Sequence, residues 1–160
     1  MAEFEGSVVA VFLVAEGGGV PVETPEVNAV AGQGLEGDRY YAGVGTFTKR
    51  GADGPEPTRN VTLIESEAIE AARRDYDVPL GLGEPRRNVV TRGVPLNHLV
   101  GREFSVGDAR MRGVKLCEPC VHMESLSKPG ARQALLHRGG LRAEILESGT
   151  IRAGDPITAA

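Results

Sequence analysis

The residues best suited to chemistry lie in one short segment, where two cysteines stand three positions apart. Cys117 and Cys120 are the only cysteines in the chain, and His122, one of three histidines, follows two residues later. Two thiols at this spacing can meet each other, a metal ion or a transferred sulfur atom. We therefore expect the rest of the chain to position this segment.

The sequence leaves several interpretations of this C-x-x-C pair open. A structural zinc site would need two further ligands, but the chain has no second C-x-x-C, and its histidines do not stand at a zinc-finger or zinc-ribbon spacing. A dithiol oxidoreductase normally carries its first thiol at the start of a long helix within a βαβ unit. Here no βαβ pattern surrounds the cysteines, and any helix after Cys120 must end before Pro129 and Gly130. Two cysteines acting only as small buried apolar residues would fit poorly with the charged neighbours Lys115 and Glu118.

A sulfur carrier or a soft-metal ligand makes a different demand on the chain. Either needs one thiolate at a partly open position, because the thiolate is the nucleophile and the metal ligand. Cationic neighbours favour the thiolate form of such a cysteine. The arginines that could supply this charge, if their strands converge on the cysteines, are Arg39, Arg86, Arg87 and Arg92.

Composition predicts a fold made of many short elements. The length suffices for a single domain over residues 1–160 with a core of its own. Aromatic residues make up only 4% of the chain and Trp is absent, so the core must consist mainly of Val, Leu, Ile and Ala. The 22 glycines and 10 prolines favour short elements joined by turns over a helix bundle. A net charge of -4 does not indicate nucleic-acid binding.

The sequence also predicts a cytoplasmic protein that does not enter a membrane. Glu3 and Glu5 stand where a signal peptide would carry Lys or Arg, and the apolar run at 8–15 is too short to span a bilayer. In the reducing cytosol we expect no structural disulfide between the two cysteines.

Strands dominate the predicted elements, with two or three short helices among them. β-Branched residues predict a buried strand at 7–15, and a strand at 60–64 leads into a helix with acidic residues at its start and arginines near its end. The long polar stretch 42–58 is more typical of a functional lid or a mobile loop than of a spacer. Further strands are predicted at 26–30, 85–93, 104–108, 109–116, 141–146 and 150–157, and a further helix at 131–137.

Two charged segments admit either a structural or a functional role. The arginines of 85–93 would keep an edge strand soluble, or they would bind an anion. The glycine-rich stretch 32–39 is either a plain turn or a site that uses Asp38 and Arg39. The residues alone leave both alternatives open.

Seven stretches, taken in their order and spacing, carry a family resemblance over nearly the whole chain. They are GLEGDR (34–39), RNVTLI (59–64), RRNVVTRG (86–93), LNHLVGREF (96–104), CEPC (117–120), GLRA (140–143) and IRAGD (151–155). Each stretch is weak alone, but the ordered set is fairly specific. Together they resemble the MOSC family, which is found at the C-terminus of molybdenum cofactor sulfurases and as small stand-alone bacterial proteins.

The resemblance implies a mostly β fold built on a barrel, with two or three short helices and a site around Cys120. In the family, the equivalent cysteine is proposed to carry sulfur as a persulfide, received from a pyridoxal-phosphate-dependent cysteine desulfurase. In molybdenum-bearing relatives it ligates the metal of the molybdenum cofactor. Cys117 would then be an accessory thiol, and pyridoxal phosphate would sit on the partner enzyme rather than on this chain.

By position, the resemblance also implies a pocket around the cysteine. Arg87 and Asn88 would belong to that pocket, and Asp38 and Arg39 would lie close by. One departure concerns the residue after Gly-Asp-Arg: the family often has His there, whereas this chain has Tyr40-Tyr41. If that histidine assists proton transfer or anion binding, a tyrosine or His122 would do so here, or the function is absent.

We therefore expect a sulfur-carrier or molybdenum-cofactor-binding protein that acts through Cys120. As an enzyme it would be sulfurtransferase-like or a molybdenum-dependent reductase. The alternatives are a non-catalytic module that binds the cofactor and a C-x-x-C thiol oxidoreductase. The expected partners are a cysteine desulfurase or a molybdenum enzyme, and the chain would be a monomer or a homodimer.

Overall fold

The structure is a computed structural model that describes residues 1–42, 50–51, 54–55 and 60–160. The lid or mobile loop predicted at 42–58 therefore lies largely outside the described residues. The α-helices are α1 (Arg39–Ala42), α2 (Ser66–Tyr76), α3 (Val121–Leu126) and α4 (Ala131–Ala134), with a 3₁₀ turn at Leu96–Leu99. The strands are β1 (Glu5–Leu13), β2 (Val22–Thr24), β3 (Glu26–Val30), β4 (Gly34–Leu35), β5 (Arg50–Gly51), β6 (Gly54–Pro55), β7 (Val61–Glu65), β8 (Val89–Arg92), β9 (Glu103–Val106), β10 (Ala109–Leu116), β11 (Leu141–Glu147), β12 (Gly149–Arg152) and β13 (Pro156–Ala159).

Seven of the described strands close a barrel. Around the ring the order is β1, β8, β7, β11, β10, β9 and β13, and β13 pairs with β1 again. Neighbouring strands are antiparallel except β7 and β8, which are parallel and joined through α2 in a βαβ unit. β2 pairs with β1, and β3 pairs with both β4 and β12 in a separate small sheet. The arrangement confirms the predicted mostly β fold built on a barrel.

Two apolar clusters hold the elements together. The first fills the barrel with alternate residues of its strands, such as Ala109 and Met111 of β10. The second packs α2, α3 and α4 against β1, β7 and β8, so these three strands are buried on both faces. A register shift in β1 between Val8 and Ala10 lets Val9 and Ala10 both pack on the helix side. Burial on both faces explains the nearly continuous apolar run predicted as a strand at 7–15.

The helices differ in detail from the predicted set. Four short α-helices are described rather than two or three, and α1 and α3 are not among the predicted ones. The helix predicted at 131–137 ends at Ala134, and His137 has a left-handed φ of 62°. No helix in the described part of the chain has both the length and the apolar character needed to cross a lipid bilayer.

The arginine-rich segment at 85–93 is only partly a strand. β8 begins at Val89 and lies between β7 and β1, so the interpretation of this segment as an edge strand is wrong. Arg86 and Arg87 precede the strand and are buried, whereas Arg92 is exposed and pairs with Glu70 at 2.6 Å. The loop before β8 therefore carries two arginines inward, next to the end of the barrel where the cysteines lie.

Candidate functional site

The C-x-x-C segment links the end of β10 to the start of α3. The backbone N–H of Cys117 donates to the carbonyl of Gly140 at 2.7 Å, which extends the pairing of β10 with β11 by one residue. Gly139 packs closely on the same segment, because a Cβ at this position would meet the carbonyl oxygen of Cys117 and lie 2.8 Å from Cδ of Pro119. Both cysteines are free thiols, and Cys117 is only 6% exposed.

Cys120 is the residue that caps the first turn of α3. Its backbone is extended, and its sulfur accepts a hydrogen bond from the N–H of Met123 at 3.4 Å. The cap directs the thiol, which is half-buried, instead of leaving it free to rotate. In a dithiol oxidoreductase the first cysteine of the pair holds this position, whereas here the second one does.

A pocket of about 180 Å³ opens beside Cys120. It brings together five of the predicted site residues, Arg39, Arg87, Cys117, Cys120 and His122, and its other lining residues are Tyr40, Arg86, Glu118, Met123 and Arg142.

Asp38 and Asn88 lie behind the pocket wall, and each is only 1% exposed. One carboxylate oxygen of Asp38 accepts from the N–H of Val14 at 2.9 Å and from Nδ2 of Asn88 at 3.1 Å. The amide of Asn88 also donates to the carbonyl of Phe12 and accepts from the backbone and hydroxyl of Thr62, all within 3.2 Å. These bonds use the side chains to join β1, β7 and the 32–39 turn, so both residues act on the site by positioning its wall.

Arg39 and Tyr40 form one face of the pocket. The guanidinium of Arg39 lies over the ring of Tyr40, 4.3 Å from its centroid, and donates to the tyrosine hydroxyl at 3.2 Å. It also contacts the carboxylate of Asp38 at 3.5 Å. Tyr40, which follows Gly-Asp-Arg in the chain, thus lines the pocket, whereas Tyr41 is not among the lining residues.

Arg86 reaches the pocket from a strained position in the backbone. Its φ of 65° is left-handed, which is uncommon for a residue with a side chain and often marks a functional site. The guanidinium donates to the carbonyl of Gly19 at 2.5 Å. Burial lowers the pKa of Arg86, and the positive charge of Arg39 nearby lowers that pKa further. The two arginines therefore repel each other in a site that an anion would stabilise.

Arg87 holds three separate segments by their carbonyl groups. Its guanidinium donates to Gly139 at 2.7 Å, to Cys117 at 3.1 Å and to Pro85 at 3.2 Å. The side chain is 9% exposed and still lines the pocket. Arg87 therefore fixes the C-x-x-C segment and adds its charge to the pocket at the same time.

The electrostatic balance of the pocket is positive. Four arginines and one glutamate line it, and Glu118 lies 3.2 Å from Nδ1 of His137 at the rim. Among the described residues, three arginines but only one carboxylate, that of Asp38, are buried. In the same part of the chain, no three His, Cys, Asp or Glu side chains gather in a way that could hold a metal ion. Any metal here would have to bring most of its own ligands.

Sequence reasoning missed several lining residues. Arg86 was proposed only as a general source of charge, and Met123 and Arg142 were not proposed at all. Arg142 lies on β11, where it alternates with the buried Leu141 and Ala143, a pattern that gives no sign of a site. Only the pairing of β10 with β11, in which Lys115 stands opposite Arg142, brings this arginine to the end of β10.

Comparison with known proteins gives both a family and structural neighbours. The family model of the MOSC domain matches residues 48–158. The YuaD protein from Bacillus subtilis is similar in structure, with a TM-score of 0.80 at 15% identity over 98% of this chain and 96% of that one. YiiM from Geobacillus stearothermophilus has a TM-score of 0.70 at 16% identity, over 97% and 75% of the two chains. YiiM from Escherichia coli has a TM-score of 0.58 at 17% identity, over 100% and 70%.

Because all three identities are low, these structural similarities establish a shared fold and nothing beyond it. A search of curated protein sequences gave no significant match.

Proposed function

The chain belongs to the MOSC domain family, and from that premise we propose that it is a sulfur carrier whose acting residue is Cys120. Ligation of the molybdenum cofactor by the same cysteine is the second candidate function. The observation that carries the first proposal is the placement of one directed, half-buried thiol beside a pocket lined by four arginines.

The sulfur-carrier chemistry follows from this placement. The Cys120 thiolate attacks the terminal sulfur of a donor persulfide, a new S–S bond forms, and the donor thiolate leaves with the electron pair of the bond that breaks. There is no net oxidation. The product on Cys120 is a persulfide, which is anionic near neutral pH and is stabilised by guanidinium groups around it.

The neighbouring residues divide the remaining tasks. Arg39 and Arg86 supply positive charge, and Arg87 holds the segment that carries the thiol. If a family histidine moves a proton or binds an anion in relatives, Tyr40 or His122 would do so here, or the function is absent. Cys117 is an accessory thiol, since it is more deeply buried than Cys120.

The pocket residues also fit parts of the molybdenum cofactor. A soft metal that brings its own organic ligand needs only one protein thiolate, here Cys120, and a phosphate would bind the arginines. The described pocket of about 180 Å³ is smaller than the roughly 300 Å³ at which small-molecule pockets usually begin. A second pocket of about 400 Å³ shares Arg86 with the first. When bound, the cofactor would supply redox chemistry for reducing an N-hydroxylated or similar substrate.

Two other functions remain to be separated by experiment. A non-catalytic module would bind the cofactor without turnover, and a thiol oxidoreductase would need both cysteines. The helix cap on the second cysteine, and not on the first, argues against the oxidoreductase. For the sulfur carrier, the proposed donor is a pyridoxal-phosphate-dependent cysteine desulfurase in the cytoplasm, with pyridoxal phosphate on that partner.

The decisive experiment is intact mass spectrometry, with metal and pterin analysis, of protein purified anaerobically from its native host. A sulfur carrier would show an added mass of about 32 Da, one sulfur atom, that dithiothreitol removes. Cys120→Ala should abolish this adduct, and the matched variant Cys117→Ser should keep it.

The other outcomes identify the other functions. Molybdenum and a pterin that are lost in Cys120→Ala would establish the cofactor-binding protein instead. Loss of thiol-disulfide exchange activity in Cys117→Ser would favour the oxidoreductase. If neither sulfur nor metal depends on Cys120, the proposal is wrong and the non-catalytic module leads.

A further inference from the structure

The charge of the pocket contrasts with that of the whole protein. The chain has a formal net charge of -4, yet four arginines and one glutamate line the pocket. A concave site lined by one sign of charge concentrates its field and raises the local concentration of small ions of the opposite sign. The site thus attracts anions although the protein as a whole repels them.

The charge of the buried arginines is only partly balanced by the protein. The Asp38 carboxylate, 3.5 Å from Arg39, is also bonded to backbone and amide donors. Arg86 donates to a neutral carbonyl, and the nearby positive charge of Arg39 disfavours the charged form of Arg86. Together the two arginines leave a deficit of negative charge within the wall, next to the thiol of Cys120.

The pocket has room for a small anion beside the thiol. Its volume is about 180 Å³, and a tetrahedral oxyanion with five heavy atoms fits this space. The oxygens of such an anion can contact the arginines of the wall while another of its atoms faces Cys120. Negative charge on a small molecule is therefore the property that the described wall favours.

We propose that this site accepts sulfur directly from a small sulfane-sulfur oxyanion, a class of which thiosulfate is the simplest member. The inference rests on the proposed sulfur-carrier function and adds a substrate class to it. The arginines bind the sulfonate oxygens, and Cys120 meets the terminal sulfur.

The transfer balances without an added oxidant or reductant. The Cys120 thiolate attacks the terminal sulfur of thiosulfate and forms a new S–S bond. The bond between the two thiosulfate sulfurs breaks, and sulfite leaves with its electron pair. The thiolate and the thiosulfate dianion thus become a persulfide anion and a sulfite dianion, so charge and atoms are conserved.

The test measures sulfite released when thiosulfate is added to the full chain, previously reduced and freed of reductant. The wild type should release one equivalent of sulfite at a rate that saturates with thiosulfate, and sulfate should compete. Cyanide should then recover the transferred sulfur as thiocyanate. Cys120→Ser should release none, whereas Cys117→Ser should still release sulfite, because a single thiolate accepts the sulfur.

Two arginine variants with the same change of net charge test the role of the pocket. Arg142→Gln removes a charge from the wall, and the structure describes no hydrogen bond of this side chain whose loss would disturb the fold. We expect the second-order rate constant for sulfite release to fall about 10-fold, the usual order for one lost charge-assisted contact. Arg74→Gln removes an exposed charge on α2 and should change this rate by less than about twofold.

Three results would overturn the proposal. If no sulfite is released while a cysteine desulfurase with cysteine still loads Cys120, the oxyanion is not the sulfur donor. The sulfur-carrier function would then be retained. Failure of both donors would refute the sulfur carrier as well. Equal slowing by Arg74→Gln and Arg142→Gln would show that the charge of the pocket does not select the donor.

Discussion

Replacing Arg87 by methionine should destabilise the whole protein as well as the site. The substitution keeps a long apolar stem but removes a guanidinium that donates to three carbonyls, those of Pro85, Cys117 and Gly139. A buried carbonyl left without a partner costs about 1–3 kcal/mol. Because Arg87 lines a pocket, water can reach part of the vacated space, and the three costs do not add fully. We expect a loss of about 3–5 kcal/mol in the free energy of unfolding.

Urea unfolding, followed by circular dichroism, measures this loss directly. A decrease of 3–5 kcal/mol corresponds to a melting temperature lower by about 6–20 °C for a chain of this size. The control is Arg142→Met, which removes an arginine from the same pocket wall but breaks no described hydrogen bond. The control should stay within about 1 kcal/mol of the wild type. Equal stability of Arg87→Met and the control would show that the hydrogen bonds of Arg87 to the three carbonyls do not stabilise the fold.

Three further changes test other parts of the site and its support. Asn88→Asp places a second carboxylate where an amide now donates to Asp38 at 3.1 Å; we expect a loss of about 3 kcal/mol at neutral pH and a smaller one in acid, and a pH-independent loss would contradict this. Gly139→Ala crowds Cys117, so we expect a loss of about 1–3 kcal/mol and slower sulfur loading, checked by urea unfolding and intact mass. Burial raises the pKa of Glu65, so its ionisation opposes folding and the stability that its neutral form gives is lost as the pH rises through the folded pKa. Glu65→Gln should therefore be more stable than the wild type at neutral pH and equally stable below pH 4.5, and an advantage that persists in acid would contradict the assignment.

The sequence could predict the elements whose patterns are local. The strand predicted at 109–116 has the bounds of β10, and that at 26–30 has the bounds of β3, because each lies between turns. α3 was not predicted, since it has six residues and buries only Met123, too little for a helical period to show. The strand predicted at 85–93 begins only at Val89 in the structure. Arg86, just before it, has a left-handed backbone, which residue types do not reveal.

The site could be predicted as a set of residues but not as an arrangement. The resemblance pointed to Asp38 and Asn88, yet their positioning role depends on a bond between side chains 50 positions apart. Asn88 likewise contacts the carbonyl of Phe12, 76 positions away. Contacts over such separations exist only after the barrel closes, so a single sequence does not show which of these residues reach the pocket.

Both the geometry and the charge of this site depend on Arg87. Their contributions to sulfur transfer must therefore be measured with variants of other residues. Arg87 holds the backbone of Cys117, three residues before the acting thiol, and also lines the pocket. An Arg87 variant that lost sulfur transfer would therefore have lost the position of Cys120, the charge beside it, or both. Arg142→Gln changes the charge without a described bond to the segment, and Gly139→Ala shifts the segment without changing the charge. If pocket charge governs the approach of the donor, only the Arg142 variant should respond to added salt less steeply than the wild type, because screening acts on the charge that it lacks.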